Sequence, residues 1–393
     1  MERLRKLPIE FWVLLVLPSV FLIFFFTTRV GLDHAADLLG QEFFGSLAVF
    51  VPYRMIHITY LLAIYATGRS LFWVWRELSS YLINKPANAT IWWKERWHEV
   101  TSVAGSFLII LAPIAVASAY KVCTLIYMGT FDPGRIYSTG IMMMNWDMTV
   151  FGSYLPFWLQ GHAWSGIVDT LTLEAYLQLT TMTTLVTLGL ITVGKVRQFR
   201  QFILSFFLAF MLAMPIWFTF PTVTPNELFR ENVFAASTDT PLAQYAIAQS
   251  QMIGPMTTAL LHDVSHMQSN PAISHYHVPT FPSMHVAWGI VLVYFAFIIA
   301  WPVGILFTVW WILNITGAVF SLQHFGVDVI AGTIIGSLAF TVSGYLLRFE
   351  DRFLTVPKTT HKSLWYVSED LTLLIQTIKR KAKKVVRLIT RAK

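Results

Sequence analysis

The chain has 393 residues, of which 55% are hydrophobic and only 12% are charged, and its net charge is +7. A soluble domain carries about 25% charged residues because its surface must face water, so composition excludes a soluble fold. The basic residues cluster in segments that flank the apolar blocks, which reads as membrane orientation and not as a nucleic-acid footprint.

In chain order, hydropathy predicts eight spans, at 8–28, 44–66, 102–124, 170–194, 201–220, 283–300, 303–322 and 326–348. Each is close to the ~20 residues that cross a hydrocarbon core of about 30 Å. None alternates as a barrel strand would, and in lipid the backbone must pair within its own segment. The expected fold class is therefore an all-α integral membrane bundle of about eight transmembrane helices. The first block follows Arg3, Arg5 and Lys6 but lacks a small-residue cleavage pattern, so it reads as a retained signal anchor. The second holds Arg54 and His57, two ionisable residues that lipid penalises. Either they meet substrate phosphate from the bundle interior or they make a polar contact between helices. Cys123, the lone cysteine, lies in the third block, so neither an internal disulfide nor a cysteine-based metal site is available.

Residues 141–165 mix large apolar side chains with Asp147, Gly152 and Pro156. The segment is too broken to span and too apolar for water, and is predicted to be an interfacial or re-entrant helix pair. The tail from Lys379 to Lys393 has eight Lys and Arg in fifteen residues with Val385, Val386, Leu388 and Ile389 between them. It reads either as an amphipathic helix on an anionic leaflet or as a solvated orientation signal. The expected domains are 1–165 (N-terminal spans and outer segment), 166–350 (a catalytic helical core) and 351–393 (the basic tail). Lys and Arg are rich at the N-terminus, in 69–99, at Lys195, Arg197 and Arg200, and in the tail. Eight spans put all of these on the cytoplasmic side, with both termini.

Chemistry concentrates between Phe281 and Gly332. In FPSMHVAWG, Pro282 suits the first turn of a helix, and Ser283 and His285 then lie beside unpaired backbone donors that can seat a phosphate. In HFGVDVIAG, His324 and Asp328 are four residues apart and share one helix face, so the carboxylate can hold the imidazole. The predicted topology brings His285, His324 and Asp328 to one outer water interface. By contrast, His262, His266, His275 and His277 are irregularly spaced and lack Cys partners, and read as loop residues, not metal ligands.

The FPSMH and HFGVD segments resemble the second and third signature motifs of the type 2 phosphatidic acid phosphatase superfamily. The variant is most similar to the branch that includes fungal inositol phosphorylceramide synthase and its bacterial relatives. WDMTVFGSYLPFWLQ also resembles a segment of that branch. The resemblance implies that His324 is the nucleophile, that Asp328 orients it, and that His285 is the general acid and then base. Ser283 with its neighbouring amides would bind the phosphoryl oxygens, and Arg54 and His57 are further candidates for substrate binding. It also implies lipid substrates taken from the bilayer, an outward-facing site, and no metal or cofactor. One departure bears on the reaction: where the phosphatases carry a Ser-Arg pair ahead of the nucleophile, this chain has Gly317 and Ala318. A phosphodiester needs less positive compensation than a phosphomonoester dianion, so headgroup transfer is expected ahead of phosphate release. A transporter would instead carry its ionisable residues near the midplane of several spans.

Overall fold

The computed structural model describes residues 6–13, 133–161, 166–230 and 280–357, with shorter stretches within 68–105 and 369–383. The expected spans 44–66 and nearly all of 8–28 and 102–124 lie outside the described residues. So do Arg54, His57, and the loop histidines His262, His266, His275 and His277.

Among the described residues every regular element is helical. After a short turn, Ile9–Phe11, the helices from residue 133 to 353 are α1 (Pro133–Phe151), α2 (Leu155–Gly161), α3 (Gly166–Leu177), α4 (Leu179–Thr192), α5 (Val196–Thr219), α6 (Pro225–Arg230), α7 (Met284–Ile299), α8 (Trp301–Phe320) and α9 (Gly326–Phe353). Helices α5, α8 and α9 are long and apolar enough to cross a bilayer, and α3 with α4 would make a fourth span, bent by 59°. The 16 residues of α7 rise only about 24 Å at 1.5 Å per residue. The described residues are thus all-helical, with three or four segments apolar enough to span, consistent with a membrane protein. Side chains such as Ile305, Leu306, Val309, Ile312, Ile334 and Leu338 are exposed on its outer face, as lipid contact requires.

Two of these elements depart from the sequence reading. The block 170–194 is not one straight helix, because side chains of α8 capture a carbonyl of α3. Trp310 Nε1 and Asn314 Nδ2 both donate to Ala175 O, at 3.0 and 3.3 Å, and the helix breaks at Gln178 three residues later. Pro282 does not open α7 either. Ser283 is the N-cap, its hydroxyl accepting from Val286 N at 3.4 Å, and the helix begins at Met284.

Close backbone approach sets the positions of α7, α8 and α9. A Cβ on Gly332 would come within 2.4 Å of Ser283 O, and one on Gly336 within 2.2 Å of Ala287 O. These two glycines, four apart on α9, let it lie directly on α7, the device by which membrane helices gain van der Waals contact. The cores on either side are aromatic and aliphatic: Phe202, Phe206, Phe295 and Phe307 between α5, α7 and α8, and Phe207, Phe210, Met214 and Trp217 between α5, α7 and α9.

At the far end of α5 and α9 lies a buried ion cluster. Arg200 donates to both oxygens of Glu10 and, at 2.7 Å, to Glu350. Glu350 also accepts from Ile9 N at 2.7 Å. Arg200, read from sequence as part of a basic cytoplasmic turn, is only 8% exposed, and Glu10 is fully buried. Its neighbours behave more as expected: Arg197 pairs with exposed Asp351 at 2.6 Å, and Lys195 Nζ donates to Ile298 O.

Candidate active site

Three helix ends and the middle of a fourth helix meet at one end of the bundle. Helix α8 stops at Phe320, and the chain reverses through Ser321–Phe325 into α9. The reversal needs a left-handed residue, supplied by Leu322 at φ 58°, which is fully buried among Ile136, Met143, Met144 and Phe325. A non-glycine residue in that region stores strain that its surroundings must hold. The turn is further tied by Gln323 N and His324 N, both donating to Ala318 O at 3.2 Å.

His324 stands in this turn, 8% exposed. Its Nδ1 is hydrogen-bonded to Asp328 Oδ2 at 3.2 Å, the four-residue pairing expected from HFGVD. The same Oδ2 accepts from Phe325 N at 3.0 Å, so Asp328 also reaches back to cap its own helix. Asp328 Oδ1 is buried without a hydrogen-bond partner among the described residues. Burial pushes the His324 imidazole down to about 4, against a hydrogen bond to the Thr280 backbone that pulls the other way.

His285 sits in the first turn of α7, partly exposed, with its ring centroid 6.2 Å from that of His324. Ser283 is fully buried beside it, and Ser283 N donates to Asp328 O at 3.2 Å, joining the two motifs through their backbones. Of the six site residues expected from sequence, His285, His324, Asp328 and Ser283 come together, and Arg54 and His57 lie outside the described residues.

Three neighbours carried no distinct sequence signal as site residues. Tyr176 of α3 covers His285, ring centroids 4.4 Å apart. Thr222 and Thr280 share a hydroxyl hydrogen bond of 2.7 Å, and Thr222 Oγ1 also accepts from Thr280 N and Phe281 N, which fixes the strand of chain leading into FPSMH. Gly317 lies against α3 so tightly that a Cβ there would be 2.1 Å from Thr172 O, and Ala318 is fully buried. Among the described residues no group of three or more His, Cys, Asp or Glu side chains is arranged to hold a metal ion.

A buried histidine held by an aspartate and a second, partly exposed histidine thus stand together, each beside the N-terminus of an apolar helix. A family model of the PAP2 superfamily matches residues 145–342, half of the chain. The chain belongs to the PAP2 superfamily, whose membership points to lipid phosphatase or phosphotransferase activity. No curated protein and no solved structure matches it.

Proposed function

We propose that this chain is a phosphotransferase of the inositol phosphorylceramide synthase-like branch. It would move a phospho-headgroup, of phosphoinositol type or related, from a lipid phosphodiester to a lipid or polyol alcohol. In the first half-reaction Nε2 of His324 attacks phosphorus and the bond to the glycerol oxygen breaks. His285 gives its proton to that oxygen, and the diacylglycerol leaves. In the second half His285 takes the proton of the acceptor hydroxyl, the acceptor oxygen attacks phosphorus, and the P–N bond breaks. Asp328 keeps the proton on Nδ1, leaving the Nε2 lone pair free. Ser283 and the amides at the start of α7 receive the phosphoryl oxygens. No metal enters this scheme, and a rate unchanged by EDTA is expected of it. The site opens on the periplasmic or lumenal side, with both termini cytoplasmic.

The observation that carries the choice of transfer over hydrolysis is the closure at Gly317. The arginine that phosphatases of the superfamily carry beside that position would neutralise a phosphomonoester dianion. In this chain Gly317 is pressed against the backbone of α3 and Tyr176 Cβ, and Ala318 beside it is fully buried and uncharged. A phosphodiester carries one charge fewer and suits such a site better. The test is a side-by-side rate measurement with phosphatidylinositol-type diesters and with phosphatidic acid, with and without an alcohol acceptor. The diester is expected to react faster and to depend on acceptor. Faster release of inorganic phosphate from phosphatidic acid, indifferent to acceptor, would assign the chain to the lipid phosphatases instead.

A further inference from the structure

The first turn of α9 carries His324 and Asp328 at its edges, and a second carboxylate holds what lies between them. Asp147, from α1, is fully buried. Its Oδ2 accepts from Gly326 N at 2.9 Å and its Oδ1 from Val327 N at 2.8 Å. Three successive amides are thus bound by two carboxylates: Phe325 N by Asp328, and Gly326 N and Val327 N by Asp147. These are among the donors that a helix start leaves without partners, and each would be costly to bury unpaired.

The segment around Asp147 is shaped for this contact. A Cβ on Gly326 would lie 2.6 Å from the Phe151 ring and 2.7 Å from Leu155 Cδ2. Glycine at 326 is therefore what lets α1 and α2 close on the start of α9. Gly152, at φ 69°, turns the chain between α1 and α2, and the Leu155 backbone then adds a further hydrogen bond to Asp147. Desolvation pushes the Asp147 carboxyl up to about 7, and Asp328 adds to this, while the Gly326, Val327 and Leu155 amides pull it down. Asp147, Phe151 and Gly152 of WDMTVFGSYLP each have a place in this cradle.

We propose that Asp147 is a positioning residue of the reaction: by fixing the first turn of α9 from a helix outside the catalytic motifs, it holds the His324–Asp328 pair in reacting geometry. This rests on the proposed function, and the experiment separates the two. Asp147→Ala, Asp147→Asn, His285→Ala and His324→Ala are made in the full-length protein. Each is assayed for kcat and KM per folded molecule with whichever of the two donors the wild type consumes. The rate at which diethyl pyrocarbonate modifies His324 is read in parallel by mass spectrometry, without any turnover.

Asp147→Ala is expected to lower kcat about 10- to 100-fold, the scale on which small misplacements of reacting groups act, with little change in KM. Asp147→Asn should fall between it and wild type, because its amide oxygen replaces one acceptor of two. His324 should be modified faster in Asp147→Ala than in wild type. A loss confined to the yield of folded protein, with kcat and His324 modification both as in wild type, would overturn the inference. If Asp147→Ala fails to fold, the same two readouts in Asp147→Asn decide. Full activity in His285→Ala or His324→Ala would overturn the proposed reaction itself, and the modification rate would still report on Asp147.

Discussion

An imidazole in water loses its proton near pH 6.5, whereas burial in the turn between α8 and α9 pushes His324 down to about 4. The folded state favours the neutral ring, so its contribution to stability is fully present above pH 6.5 and is lost as pH falls through about 4. For the proposed chemistry the consequence is a nucleophile that stays unprotonated through mildly acid conditions. In rapid-quench experiments the amplitude of the phosphohistidine burst should hold steady from about pH 8 to about pH 5. A decline centred near pH 6.5 would contradict the buried setting of His324. At this scale the sequence was informative where chemistry needs spacing: His324 and Asp328, four apart, and Ser283 and His285 at a helix start. It was silent on Tyr176, because a tyrosine in an apolar block has the same composition whether it faces lipid or covers His285. Nor did Leu322 announce its left-handed backbone, since the residues that signal such turns are glycine and asparagine.

Among the elements, those of the second half were legible because a 20-residue apolar run in lipid has little choice but to be a helix. Expected spans at 201–220, 303–322 and 326–348 correspond to α5, α8 and α9, each long enough to cross a membrane, and that at 283–300 to the shorter α7. Two helices, α1 and α2, do occur in the region where a helix pair is expected at 141–165, although α1 starts earlier, at Pro133. What a run of hydropathy cannot carry is the competition for a single carbonyl. Ala175 O is drawn to Trp310 and Asn314, and a block that reads as continuous breaks there. Glycine is the opposite case, since its meaning appears only when the neighbouring backbone is known. Gly336 is expected to be intolerant of any side chain, with Ala287 O and Ile290 in the way. Gly336→Val should destabilise the protein by about 1–3 kcal/mol, the usual cost of overpacking. The measurement is thermal unfolding in detergent, and a melting temperature equal to wild type would show that α7 and α9 can separate freely.

Across the whole molecule, the His324–Asp328 turn and the Glu10–Arg200–Glu350 cluster sit at opposite ends of α9, about 33 Å apart at 1.5 Å per residue. Removing one member of a buried ion group leaves the others uncompensated, so Arg200→Ala is expected to cost about 3–5 kcal/mol. Replacing all three charges by apolar residues of similar volume should recover most of that stability. Unfolding measurements on the two variants check this, and a stable single variant would mean that the carboxylates find other partners. The cluster also has a consequence for how the protein is made. Arg200 is synthesised 190 residues after Glu10, and Glu350 another 150 after that. At roughly 5–20 residues per second of translation, Glu10 waits on the order of half a minute for the set to be complete. Throughout that interval its carboxylate has to stay in water or headgroups, or in the care of the insertion machinery. A nascent chain halted short of Glu350 would therefore hold its early segment undocked, and an end that leaves the ribosome early would be sealed only when α9 arrives.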